Sequence, residues 1–97
     1  MTKQALWKDT VLAESEDIVE VEGNDYFPRA TLNMDHFSPS SHTTVCPWKG
    51  TAAYMHVEVN GETLRDAAWY YPDPKEAAAH IENRVAFWKG VVITETE

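Results

Sequence analysis

The chain has 97 residues, of which 43% are hydrophobic and 11% aromatic, and this is enough for one small domain spanning residues 1–97. Its 16 acidic and 8 basic residues give a net charge of −8, which disfavours binding to nucleic acid or to an anionic membrane surface, because both partners require a basic face. One cysteine cannot form an internal disulfide, and the sequence has neither a signal peptide nor an apolar run of ~20 residues, so we expect a cytoplasmic protein.

The first part of the chain predicts short strands separated by turns. Residues 5–13 predict a bent strand or hairpin, and the acidic residues 14–17 predict a turn. Residues 18–22 alternate β-branched residues with acids, which is typical of a strand with one buried face. Residues 29–41 are compatible with either one helical turn or an extended strand, and the proline at position 39 predicts a loop over 38–41.

The clearest strand pattern lies between residues 51 and 71. Four apolar side chains fall on one face of its first strand: Ala53, Met55, Val57 and Val59. Asn60-Gly61 predicts a type I′ hairpin turn, because both central residues of that turn need a positive φ. The return strand is then expected to run from residue 62 to residue 71.

A single short helix is predicted near residues 74–82. Asp73 is suited to cap its N-terminus, Pro74 fits its first position, and Glu76 completes a capping box. The alanines that follow favour a helix of about two turns.

The last part of the chain predicts two more strands, at residues 85–88 and 91–93, and a frayed acidic tail at 94–97. Successive strands joined by tight turns favour antiparallel pairing. The predicted fold class is therefore mainly β (β-rich α+β), with small antiparallel sheets and the one short helix covering an end.

Cys46 is the first residue that invites a chemical hypothesis. A thiol becomes nucleophilic when a nearby cation or base lowers its pKa, and His42 and Lys49 both lie within four residues. The alternative is structural, since a lone cysteine is often a small buried residue. A redox cycle on Cys46 would need an external thiol, because the chain contains no second cysteine.

Metal and phosphate sites find little support in the sequence. The four histidines, at positions 36, 42, 56 and 80, follow no established zinc spacing relative to Cys46, so we predict neither a metal site nor a cofactor. The four glycines are too dispersed to form a phosphate-binding loop.

Aromatic side chains supply the strongest binding hypothesis. Two aromatic blocks, around Trp48 and around residues 69–71, could wall an apolar pocket whose tyrosine hydroxyls and lysine orient a ligand. The alternative is that a small β domain needs these rings for its core. The residues predicted to line the ligand site are Cys46, Trp48, Lys49, Tyr54, Trp69 and Tyr70.

Several blocks of the sequence resemble the bacterial domain-of-unknown-function family 427 (DUF427), which is sometimes labelled nucleotidyltransferase-like. These blocks are residues 11–15, 26–28, 43–52, 66–72 and 85–90. The most specific of them are Cys-Pro-Trp-Lys-Gly at 46–50 and Ala-Trp-Tyr-Tyr-Pro at 68–72.

The resemblance implies a β-tent-like arrangement of small sheets with a pocket on one sheet face, here lined by Trp48, Tyr54 and Trp69. The zinc cysteines of some β-tent proteins are absent from this chain, so zinc is not implied. Nucleotidyl transfer requires paired carboxylates around Mg²⁺ and a phosphate-binding loop, and the sequence contains neither in recognisable form.

Three functional hypotheses follow. The first is a small binding module with an aromatic-lined cleft for a small polar or flat ligand. The second is an enzyme that uses Cys46 as a nucleophile or redox thiol. The third is a protein-interaction domain that uses an exposed strand edge.

Overall fold

Nine strands and three 3₁₀ turns form the protein in a computed structural model, which describes residues 1–96. The strands are β1 (Thr2–Trp7), β2 (Thr10–Ser15), β3 (Val19–Val21), β4 (Asn24–Pro28), β5 (Phe37–Cys46), β6 (Gly50–Val59), β7 (Glu62–Tyr70), β8 (Arg84–Phe87) and β9 (Val92–Thr96). They form a three-stranded sheet in the order β2-β1-β9 and a six-stranded sheet in the order β3-β4-β8-β7-β6-β5. All pairs are antiparallel, so the predicted mainly β fold class is confirmed.

The central hairpin forms where Asn60-Gly61 predicts it. Asn60 has φ +51° and Gly61 has φ +79°, as a type I′ turn requires. Both faces of β6 are buried, however, and not only the face with alternating aliphatic residues. Met55 and Val57 contribute to one core of the molecule, whereas Tyr54 contributes to a second core on the other face.

The segment near residues 74–82 is helical but forms a 3₁₀ turn, Glu76–Ile81, with a kink at Ala78. The predicted cap at Asp73 is wrong, since Lys75 occupies the N-cap position and no side chain caps the turn. The backbone N–H of Lys75 instead donates to the carbonyl of Lys49 at 2.9 Å. This tertiary hydrogen bond and the shortness of the segment outweigh the helix propensity of its alanines.

Two other local predictions were wrong. Residues 38–41 do not form a loop but belong to β5, where Pro39 is tolerated because β5 is the edge strand of its sheet. Thr94 to Thr96 do not fray but pair with β1 within β9, and Glu97 lies outside the described residues. The ambiguous region before β5 contains two 3₁₀ turns, Arg29–Thr31 and Met34–His36.

Two cores lie on opposite faces of the six-stranded sheet. The first core lies between the two sheets and consists of Ala5, Leu12, Ala13, Phe27, Leu32, Met55, Val57, Val59, Ala67, Ala68, Val85 and Phe87. The second core lies under the 3₁₀ turn Glu76–Ile81 and consists of Val21, Tyr26, Ala52, Tyr54, Trp69, Tyr71, Ala78, Ile81 and Ala86. No helical segment within residues 1–96 is long and apolar enough to cross a bilayer.

Candidate functional site

The candidate site begins with two irregularities in strand pairing that face each other across β6. On the β5 side, residues 40–42 stand opposite the single residue Tyr54. On the β7 side, residues 65–67 stand opposite His56. Each irregularity therefore adds two residues to the outer strand, and such bulges redirect side chains that regular pairing would leave apart.

The bulges bring four polar residues together, which we call the bulge cluster: Ser40, His42, His56 and Asp66. The hydroxyl of Ser40 donates to Oδ1 of Asp66 at 2.5 Å, and the backbone N–H of His42 donates to Oγ of Ser40 at 3.0 Å. The backbone N–H of Asp66 donates to Nδ1 of His56 at 3.1 Å. Because Nδ1 of His56 accepts this bond, the ring of neutral His56 carries its proton on Nε2.

Asp66 is the charged centre of the bulge cluster. Its φ is +54°, a conformation that aspartate adopts more readily than most side chains. The pKa of its carboxyl lies below the ordinary value, mainly because the Ser40 hydroxyl donates to the carboxylate. His42 and His56 in their protonated forms, and Lys89, lower the pKa of Asp66 further.

Three rings adjoin the bulge cluster and form what we call the aromatic patch: Tyr54, Trp69 and Trp88. The Trp88 ring centroid lies 5.8 Å from that of Trp69 and 6.2 Å from that of Tyr54. Nε1 of Trp88 donates to the backbone carbonyl of Asp66, and the His42 ring lies 4.6 Å from the Tyr54 ring. Trp88 is 44% exposed, so the patch presents an open ring that is joined to the bulge cluster through the Asp66 backbone.

Lys49 is the main polar feature at the other end of the same sheet face. Its side chain is buried, with 7% of the residue exposed, and Nζ forms an ion pair with Glu22. Nζ also lies 5.3 Å from the centroid of the Trp48 ring and 5.6 Å from that of Tyr71.

The electrostatics of Lys49 favour its charged form. Burial opposes a charge on Nζ, but the hydrogen bond to Glu22 and the nearby tyrosines outweigh it, so the pKa of Lys49 is raised. A raised pKa keeps the amine protonated at neutral pH, which suits a structural cation and not a nucleophile.

The turn that carries Trp48 and Lys49 is held by the segment before the last 3₁₀ turn. Nζ of Lys75 donates to the carbonyl of Pro47 at 2.7 Å, in addition to the backbone bond to Lys49. Gly50 has φ +114°, and a Cβ at this position would lie 3.3 Å from the carbonyl oxygen of Asp73. Only glycine therefore fits at position 50 without strain.

Cys46 is half-buried against the second core. The two residues predicted to activate it have other partners, because the His42 ring contacts Tyr54 and Nζ of Lys49 pairs with Glu22. These contacts favour the structural alternative for Cys46, a small side chain beneath the turn.

Tyr70 is separated from the other predicted ligand residues. Successive side chains of a strand point to opposite faces, so Trp69 faces the second core while Tyr70 faces the first. The Tyr70 ring contacts Arg29 and lines a cavity on that face. The other five predicted residues share one face, where the rings of Tyr54 and Trp69 pack at a tilt of 38° and each residue is less than a tenth exposed.

A family model for a domain of unknown function, DUF427, matches residues 2–97. The chain belongs to the DUF427 family. No curated protein matches this DUF427 domain. Within residues 1–96 of the domain, no three His, Cys, Asp or Glu side chains are grouped so that they could hold a metal ion.

Most of the bulge cluster of this DUF427 domain gives no signal in the sequence. Ser40 and Asp66 are 26 residues apart, and nothing in their spacing indicates that two bulges bring them together. A signal for Trp88 did exist, because the tripeptide Trp-Lys-Gly occurs at both 48–50 and 88–90. In both copies the lysine Nζ lies over the tryptophan ring, at 5.3 and 5.4 Å.

Proposed function

We propose that this DUF427 domain is a binding module that holds a small, flat, polar ligand against the aromatic patch and the bulge cluster. The observation that carries the proposal is the pair of opposed bulges, because the bulged residue Asp66 accepts the indole N–H of the exposed Trp88 at its backbone carbonyl. Bulges bend strands and interrupt their pairing, so two of them at one spot indicate a requirement other than packing.

The chemistry of the two groups defines the ligand class. The Trp88 ring offers a surface on which a planar group can stack. The Asp66 carboxylate has acceptor capacity beyond the single bond from Ser40, so it can accept an N–H from the ligand. The net charge of −8 favours a neutral or cationic ligand.

A nuclear magnetic resonance screen tests this proposal directly. Flat, nitrogen-bearing heterocycles are added to ¹⁵N-labelled protein, and the four indole N–H signals are followed after assignment with single Trp→Phe variants. Ligands of the proposed class should shift the Trp88 signal saturably and leave the Trp48 signal in place.

The Trp-Lys-Gly repeat provides a matched control. Trp48 and Trp88 are similarly exposed, at 37% and 44%, and each lies beside a lysine. Trp88→Ala should weaken binding at least tenfold while Trp48→Ala leaves it unchanged. Equal losses in both variants, or a library without any ligand that shifts Trp88, would contradict the proposal.

A second candidate function is self-association through β5. Within residues 1–96 this edge strand pairs only with β6. It carries no Asp, Glu, Lys or Arg, and Val45 is 76% exposed. Pro39 and the bulge protect the first part of this edge, but the regularly paired stretch that follows, residues 43–46, has neither and can accept a further strand.

Sedimentation velocity up to millimolar concentration tests this second candidate. A dimer that Val45→Lys abolishes would support it. Val92→Lys is the control, because Val92 is 57% exposed on β9, the edge strand of the three-stranded sheet. A protein that stays monomeric throughout, or a dimer that survives in Val45→Lys, would exclude pairing through β5.

We also propose that the protein is cytoplasmic. Cys46 is the single cysteine and is unpaired, which fits a protein that works in the reducing cytoplasm.

A further inference from the structure

A cavity of about 250 Å³ opens on the face of the six-stranded sheet that carries the first core, away from the aromatic patch. It lies between β5 and the two 3₁₀ turns that precede this strand. Its apolar walls are formed by Met34, Phe37, Pro39 and Met55. Met55 is buried beneath the cavity, whereas Met34 is exposed at its rim.

Arg29 supplies a cation to this apolar cavity. Its guanidinium carbon lies 4.6 Å from the centroid of the Tyr70 ring, which also lines the cavity. Within residues 1–96, no carboxylate lies within ion-pair distance of Arg29 and no side-chain or carbonyl oxygen accepts from its guanidinium. Lys3, Lys8, Lys49 and Arg84, by contrast, all pair with carboxylates.

Within residues 1–96, Arg65, Lys75 and Lys89 also lack a carboxylate partner, but Arg29 is the basic residue that lines this cavity. A guanidinium that stacks on an aromatic ring keeps the N–H groups at its edge available for two parallel hydrogen bonds to a carboxylate. The remainder of such a ligand would lie against the apolar walls.

We propose that this cavity binds a small aryl monocarboxylate, with the carboxylate on Arg29 and the ring between the two methionines. A volume of about 250 Å³ lies just below the roughly 300–1,000 Å³ of pockets that hold drug-sized ligands, so it suits a ligand of on the order of ten non-hydrogen atoms. An aromatic ring is favoured over an aliphatic chain because thioether sulfur makes favourable contacts with ring edges. The proposal is independent of the aromatic patch, because the two sites lie on opposite faces of the sheet.

The test compares 3-phenylpropionate with its neutral amide, 3-phenylpropanamide, in titrations followed by the methyl signals of Met34 and Met55. The acid should bind saturably in the millimolar range and shift these signals, because a ligand of this size makes few contacts. The amide, which has the same shape without the charge, should bind at least tenfold more weakly.

Substitution of the arginine separates charge from shape. Arg29→Gln should weaken binding of the acid at least tenfold, while Arg29→Lys, which keeps the charge and loses the paired N–H groups, should give an intermediate affinity. Arg65→Gln is the control, since Arg65 is exposed outside the cavity. A retained thermal midpoint in Arg29→Gln shows that the variant is folded.

Three results would overturn the proposal. The first is an amide that binds as tightly as the acid, and the second is an Arg29→Gln variant that retains the affinity of the unmodified protein. The third is a set of shifts at Trp88 and Tyr54 without shifts at the methionines, which would assign the acid to the aromatic patch.

Discussion

The two faces of the six-stranded sheet differ in the chemistry of their buried side chains. Every buried residue of the first core is aliphatic, phenylalanine or methionine, and none carries a polar side-chain atom. The second core contains three tyrosines and a tryptophan, and Nε1 of Trp69 donates to the hydroxyl of Tyr26 at 3.2 Å. Lys49 and the bulge cluster lie at the margins of this second face.

This difference indicates that the first face stabilises the fold, whereas the second face is free to expose polar and aromatic groups. A chain of 97 residues needs a dry core to fold, and the first core meets this need because the two sheets cover it. Among the described residues, a short 3₁₀ turn is the segment that covers the second face, so this face can expose Trp88 and the Asp66 carboxylate without leaving the main core open to water. We therefore expect substitutions on the two faces to destabilise the protein for different physical reasons.

The largest effect is expected from Phe27→Ala in the first core. Phe27 is fully buried and packs edge to face on Phe87 at 5.7 Å. Its removal should lower the free energy of unfolding by about 3–5 kcal/mol through lost burial and a cavity. Urea denaturation measures this loss, with the exposed Met34→Ala as a control that should change stability by about 0.5 kcal/mol or less. A loss for Phe27→Ala close to that of the control would mean that the first core does not dominate stability.

A smaller loss, about 2–3 kcal/mol, is expected from Gly50→Ala at the turn that supports Trp48, because backbone strain adds to a close contact. A Cβ at Gly50 would meet the Asp73 carbonyl, whereas a Cβ at Gly23, with φ +81°, would meet nothing within 4 Å. Gly23→Ala should therefore cost only about 1 kcal/mol. Thermal unfolding of the two variants separates the cost of the steric contact from the cost of the positive φ. Equal losses of stability would show that the contact with Asp73 is unimportant.

The next effect, about 1–2 kcal/mol, is expected from Tyr26→Phe in the second core. Tyr26 precedes Phe27 in β4 but faces the opposite side, and Tyr26→Phe keeps the ring while leaving the buried N–H of Trp69 without its acceptor. A double-mutant cycle with Trp69→Phe identifies the cause. The loss should shrink in the Trp69→Phe background, and an undiminished loss would assign it to packing.

The smallest effect concerns pH. The folded protein depresses the pKa of Asp66, so the carboxylate adds stability above its unfolded pKa, near 3.8, and this contribution is lost as the pH falls below that value. Asp66→Asn, which tolerates the positive φ, should flatten the stability profile between about pH 5 and pH 3. Asp35→Asn, at an exposed position, should follow the profile of the unmodified protein. Parallel profiles for all three proteins would show that Asp66 is not coupled to folding.

Local sequence patterns predicted much of the fold. Asn60-Gly61 defined the central hairpin because its turn type depends on these two residues alone. The 3₁₀ turn at Glu76–Ile81 was predicted as a helix, because the sequence does not reveal the hydrogen bond from Lys75 to Lys49. The order of the strands in two sheets also depends on contacts distant in sequence.

The candidate site was less accessible to prediction. Trp69 and Tyr70 are adjacent in β7, so strand alternation alone separates them, and that signal was present in the sequence. The grouping of Ser40 with Asp66 depends on two bulges, which add residues without any characteristic motif. Glycine often marks a bulge, but both of these lack it.

The bulge at residues 40–42 also bears on how this family can tolerate insertions and deletions. A shift of two residues leaves every side chain of a strand on its original face, so the apolar pattern of β5 does not by itself require the two extra residues. Deletion of two residues there would yield a straight edge strand over an intact first core, but without the Ser40–Asp66 bond. A difference of two residues in length within this segment would thus distinguish family members that have the bulge cluster from members that retain only the fold.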